Sequence, residues 1–72
     1  GAREWYMIYG TVTHWEAGKG FGFIETDDDE QVFLHVSNLA NVKPLEIKEG
    51  MRLRFDIQSD MKGDKAVNVR KA

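Results

Sequence analysis

Four aromatic side chains fall into two i, i+2 pairs, Phe21 with Phe23 and Phe33 with His35, each within a short run of strand-forming residues. On a strand, residues two apart share a face and stand ~6.6 Å from one another. That spacing lets flat rings receive successive unstacked nucleobases, each base–ring stack contributing ~1–3 kcal/mol. His14 and Trp15 lie just upstream as further rings, and Lys19 precedes the first pair, well placed for a phosphate. Two sharper chemistries fail. As metal ligands, His14 and His35 have no cysteine to join them, and the acids lie mainly in a loop run. As an acid–base pair for RNA cleavage, they lack groups that would orient the imidazoles. The candidate site is therefore a binding surface made of His14, Trp15, Lys19, Phe21, Phe23, Phe33 and His35. No enzyme activity, metal or cofactor is expected.

The elements that must hold these rings read as strands. Residues 7–15 are rich in β-branched and aromatic types and show no helix period. Ala17, Gly18, Lys19 and Gly20 form a turn signal, with Gly18 able to take positive φ. Residues 21–26 make a second strand, closed by the acidic run Asp27, Asp28, Asp29 and Glu30. Residues 32–36 alternate cleanly, as do residues 52–58. After a turn at residues 61–64, residues 66–70 give a fifth strand. Between the third and fourth lies a long connection, residues 37–50, with room for one short helical turn near Ser37. Five short strands and no covering helix must close on themselves to bury a face and hide their edges. A five-stranded antiparallel Greek-key barrel of the OB type is the economical answer, and an SH3-like barrel is its rival.

Strand parity decides where the rings point. Val32, Leu34 and Val36 share the core face of the third strand, which leaves Phe33 and His35 outward. In the second strand, parity alone allows either the phenylalanine pair or Ile24 to be core. Gly20 and Gly22, on the face of Ile24, permit tight curvature there, so that face need not be bulky. The expected result is an exposed patch of Phe21, Phe23, Phe33 and His35, joined by Trp15. Contiguous exposed aromatics mark binding surfaces.

Composition fits this picture and excludes others. Seventy-two residues, 42% hydrophobic and 31% charged, make one soluble domain without cysteine staples. No apolar run approaches a membrane span. The net charge of −2 conceals an asymmetry. Residues 1–42 carry two bases against seven acids, while residues 43–72 carry eight bases against five. The acidic run reads as a solvated loop tip, and Arg52 and Arg54 as a solvated strand face. The barrel is placed at about residues 6–71, with 1–5 as a tail, and Trp5 as packing. Gly1 in first position suggests a segment cut from a longer protein.

Lys19, Gly20, Phe21, Gly22, Phe23 and Ile24 resemble the first nucleic-acid-binding motif of the cold-shock domain family. Val32, Phe33, Leu34, His35, Val36 and Ser37 resemble its second, at the expected separation. The likeness runs from Gly10 to Arg70. It implies a five-stranded OB barrel that binds single-stranded RNA or DNA, often as a cytoplasmic RNA chaperone. Carried over residue by residue, Phe21, Phe23, Phe33 and His35 are the stacking platform, Trp15 a further base contact and Lys19 a phosphate contact. The chain departs from the family at Thr13, often lysine, at His14, typically a stacking tryptophan, and at Val36, typically phenylalanine. Pro44 stands near the place of a further aromatic contact of the family. Each change removes a ring or a charge, so the resemblance implies weaker binding or another base preference. His14 is read equally as a stacking ring and as a plainly exposed one.

Two functions remain. One is a monomeric module that coats or melts single strands by stacking. The other is an OB-type protein-interaction module of a longer protein, with weakened nucleic-acid binding.

Overall fold

The computed structural model describes residues 8–72, so the readings made for Trp5 and the proposed tail lie outside the described residues. Five strands follow in chain order: β1 (Ile8–Glu16), β2 (Phe21–Thr26), β3 (Gln31–His35), β4 (Arg52–Asp60) and β5 (Gly63–Lys71). They close into a barrel in the order β1-β2-β3-β5-β4. The expected all-β five-stranded barrel is thus present. It is not antiparallel throughout, however. β3 meets β5 in parallel, at Phe33 opposite Lys65, and a second parallel bridge joins Leu39 to Val69. The parallel seam follows from the long connection between β3 and β4, which lets the chain cross the barrel end and return on the far side.

Alternation fills the interior. Val12, Ile24, Val32, Leu34, Leu53, Phe55, Ala66 and Val69 are all at most 1% exposed. They are the inward residues of their strands, and Phe55 is the only ring among the described residues of the core. Val42 and Ile47, from the long connection, join this cluster. That connection folds into two short 3-10 turns, Val36–Asn38 and Pro44–Glu46. The first lies where a turn was expected, but it takes Val36 out of the strand. Val36 is accordingly only half-buried, and its amide donates to the Gly20 carbonyl at 3.0 Å.

Turns set the strand ends. Between β1 and β2, the amides of Lys19 and Gly20 both donate to the Glu16 carbonyl, at 3.1 and 2.8 Å. The positive φ there falls on Gly20, at 74°, rather than on Gly18. Between β4 and β5, the Lys62 amide donates to Asp60 Oδ1 at 2.8 Å. Gly63, at φ 123°, already pairs with Asp60, so β5 begins three residues earlier than its apolar pattern suggests.

Candidate nucleic-acid interface

β2 and β3 pair so that Phe21 faces His35 and Phe23 faces Phe33. All four rings point outward, because Gly22, Ile24, Val32 and Leu34 between them point in. Ring centroids lie 6.5 Å apart for Phe21–Phe23, 6.0 Å for Phe21–Phe33, 5.8 Å for Phe23–Phe33 and 6.2 Å for Phe33–His35. Phe23 is 38% exposed. These edge and tilted contacts hold the rings as one layer, each ring supported by a neighbour. His35 is pinned further. Its Nδ1 accepts from the Ser37 amide at 3.1 Å and lies 2.9 Å from the Ser37 hydroxyl. With that lone pair engaged, the neutral imidazole carries its proton on Nε2.

β1 contributes differently from expectation. An unbroken alternation from inward Val12 would carry Trp15 outward. A β-bulge between Val12 and His14 reverses the parity. His14 then stands opposite Phe23 on the ring face, and Trp15 stands opposite buried Gly22. Trp15 is therefore turned inward, packed against the core, with its indole Nε1–H buried and without a partner among the described residues. It does not join the patch, and it backs the sheet instead. The approach is close: a Cβ at Gly22 would collide with the His14 carbonyl oxygen and lie 2.9 Å from Trp15 Cα. Only glycine fits there.

His14 sits between two carboxylates, 3.3 Å from Glu16 and 3.9 Å from Glu49. Lys19 is exposed at the end of the ring layer. Across the opposite end, the outward row continues from His14 through Phe23 and Phe33 to Lys65. Here an open groove of about 600 Å³ runs beside Phe23 and Phe33, walled by Gln31, Asp60, Lys62 and Lys65. Sequence reasoning missed this wall. Lys65 reaches Phe33 only through the parallel seam, which no local pattern announces.

The acidic run is exposed along its length, as its composition implies, but its first residue is also tied to the barrel. Asp27 accepts a two-pronged pair from Arg52, at 2.6 and 3.0 Å, and Arg52 also donates to Thr11 at 3.2 Å. Those hydrogen bonds hold the Asp27 carboxyl below the usual carboxylate range. They raise the Arg52 guanidinium in turn. Arg52 is thus tied rather than free in solvent. Among the described residues, no group of three or more His, Cys, Asp or Glu side chains is arranged to hold a metal ion. Nor is any helix among them long and apolar enough to cross a membrane.

A family model described as the 'Cold-shock' DNA-binding domain matches residues 8–72, the whole described barrel with its ring layer. The chain belongs to the cold-shock domain family. Among its relatives, the cold shock protein CspC of Bacillus subtilis is 39% identical over 66 residues, covering 92% of this chain and all of that protein. The major cold shock protein of Streptococcus pyogenes serotype M6 is 38% identical over 65 residues, 90% of this chain and 97% of the relative. A cold shock-like protein CspC of Bacillus cereus is 40% identical over 62 residues, 86% and 95% of the two chains. Nucleic-acid binding is the general class of activity to which this cold-shock domain belongs.

Proposed function

We propose that this cold-shock domain binds single-stranded RNA or DNA by stacking bases on Phe21, Phe23, Phe33 and His35. It acts in the cytoplasm, as a monomer, by holding strands open in the manner of an RNA chaperone. The observation that carries this reading is the layer of four outward rings, 5.8–6.5 Å apart, on a barrel whose interior is already filled without them. Rings that are not needed to fill the interior keep a face for a ligand. Lys19 at one end, and Lys62 at the other, neutralise phosphates of a strand lying across the layer. His14 extends the layer beside Phe23, while Trp15 supports it from behind.

The test is anisotropy of a labelled six-nucleotide oligouridylate titrated with the domain and with a Phe21→Ala/Phe33→Ala double variant. Losing two stacks removes about 2–6 kcal/mol of binding. Affinity should then fall by roughly 30-fold or more. Urea unfolding should show a lowered midpoint but a variant that is still folded under the titration conditions. Equal affinity of the two proteins would refute stacking on these rings. A chaperone role predicts faster opening of a fluorophore-quenched RNA hairpin by the parent alone.

A further inference from the structure

The other side of the barrel carries a second arrangement of cations and a ring. Arg54 on β4 and Arg70 on β5 stand directly opposite one another, and Tyr9 on β1 stands opposite Arg54. All three point outward, since Leu53, Phe55, Val69 and Gly10 beside them are buried. Tyr9 is 45% exposed. Like charges placed directly across a ladder oppose pairing. The neighbouring cations are compensated: Arg52 by Asp27 at 2.6 Å, Lys71 by Glu46 at 2.7 Å and Lys65 by Asp60 at 3.8 Å. Among the described residues, Arg54 and Arg70 form no ion pair. Asp56, the acid two positions from Arg54 on β4, is engaged by the Asn68 side-chain amide at 3.3 Å. Arg54 Nε donates to the Lys71 carbonyl at 3.2 Å, which anchors the guanidinium by its inner nitrogen. Its two terminal amino groups carry no hydrogen bond of that kind.

We infer that Tyr9, Arg54 and Arg70 form a second contact surface, for the phosphodiester backbone of a single strand long enough to pass beyond the ring layer. Charge complementarity selects this occupant. Two adjacent guanidiniums repel until an anion lies between them, and each offers paired donors matched to phosphate oxygens. Tyr9 adds a ring on which a base or sugar rests. The inference shares with the proposed function only the class of ligand, and it assigns that ligand a longer path over the barrel.

The experiment measures binding of a six-nucleotide and a twenty-nucleotide oligouridylate at several salt concentrations, for the parent and for Arg54→Gln/Arg70→Gln. Binding of the short strand should be unchanged by the double substitution. Binding of the long strand should weaken about fivefold to tenfold. Its log–log salt slope should become shallower by about 1.4, for two lost phosphate contacts at ~0.7 each. Because the longer strand offers more registers to both proteins alike, the ratio of variant to parent is what counts. An equal loss at both lengths, or none at either, would overturn the inference. So would an unchanged salt slope, the result expected if the arginines serve a protein partner. Phe21→Ala/Phe33→Ala is the control for the ring layer. If that variant still binds the short strand while the arginine effect on the long one persists, stacking fails and this surface stands.

Discussion

The two outward surfaces of this barrel are built on one interior but meet a ligand by different physics. Across β1, β2 and β3 the outward positions carry Phe21, Phe23, Phe33 and His35, with His14 opposite Phe23. Across β1, β4 and β5 they carry Tyr9, Arg54 and Arg70. The first surface works chiefly by area and stacking, which salt barely screens, with lysine contacts only at its ends. The second works by charge, which salt weakens steeply. A net charge of −2 is compatible with nucleic-acid binding because the ring surface asks for few cations. The local arrangement of charge, not its sum, decides what each side attracts.

The strongest way to break the comparison is to remove what both surfaces share. Phe55 is fully buried on β4, in the core on which both are built. Phe55→Ala should cost about 3–5 kcal/mol of stability. In a domain this small, both binding activities should disappear together as the barrel unfolds. Phe33→Ala, by contrast, removes ring contacts from the outer layer and should cost about 1–2 kcal/mol of stability while weakening short-strand binding. Urea unfolding of the two variants checks this, and similar midpoints would show that Phe33 belongs to the core after all.

A narrower change separates the surfaces. Gly22 lies against the His14 carbonyl and Trp15, so an added Cβ must push β1 and β2 apart. Gly22→Ala should lower stability by about 1–3 kcal/mol, as overpacking does. The damage should fall on the ring surface first, with loss of short-strand binding exceeding loss of the arginine-dependent increment. Amide exchange would locate it: the β1–β2 ladder should exchange faster, and β4–β5 should keep its protection.

How these surfaces can be read from sequence depends on the range of the contact that makes them. Phe33 and His35 are legible because Val32 and Leu34 beside them alternate without a break. The direction of Phe21 and Phe23 needed the glycines on the opposite face, since period two alone left Ile24 as a rival. Trp15 was misplaced because one residue inserted at the bulge inverts every later position on β1, and a bulge leaves no composition signal in Thr13. Lys65 beside Phe33, Arg52 with Asp27, and the burial of Val42 and Ile47 arise from pairings across the whole chain. The like-charged pair of Arg54 and Arg70 is of that kind too. It becomes visible only when the β4–β5 register is known. Local pattern thus describes the ring surface well and the arginine surface hardly at all.

The ring surface can be sharpened at its edge. His14 holds the position opposite Phe23 and is flanked by Glu16 and Glu49. A larger ring there should add stacking area. His14→Trp should tighten short-strand binding by about 1 kcal/mol, roughly fivefold, with no change in the arginine-dependent increment. Weaker binding would mean that the imidazole makes a polar contact with the strand that an indole does not replace.

The smallest expected effect concerns acid. Hydrogen bonds from Arg52 hold Asp27 below the usual carboxylate range. The Lys71 ammonium, and then the Lys43 amide, do the same for Glu46. A carboxyl with a lower pKa folded than unfolded contributes stability above its unfolded pKa. That contribution fades as pH falls through the ordinary carboxylate range, about pH 4, towards the depressed folded value. Both groups are exposed, so the loss is slight, and it falls on contacts to β4 and β5 rather than on the rings. Asp27→Asn should flatten the acid limb of a stability–pH profile. At neutral pH the same substitution frees Arg52, two residues from Arg54 on the arginine surface. Long-strand binding should then gain about one phosphate contact, steepening its salt slope by ~0.7, while short-strand binding stays as it was. A gain at both lengths would mean that one continuous field, rather than two separate surfaces, governs binding.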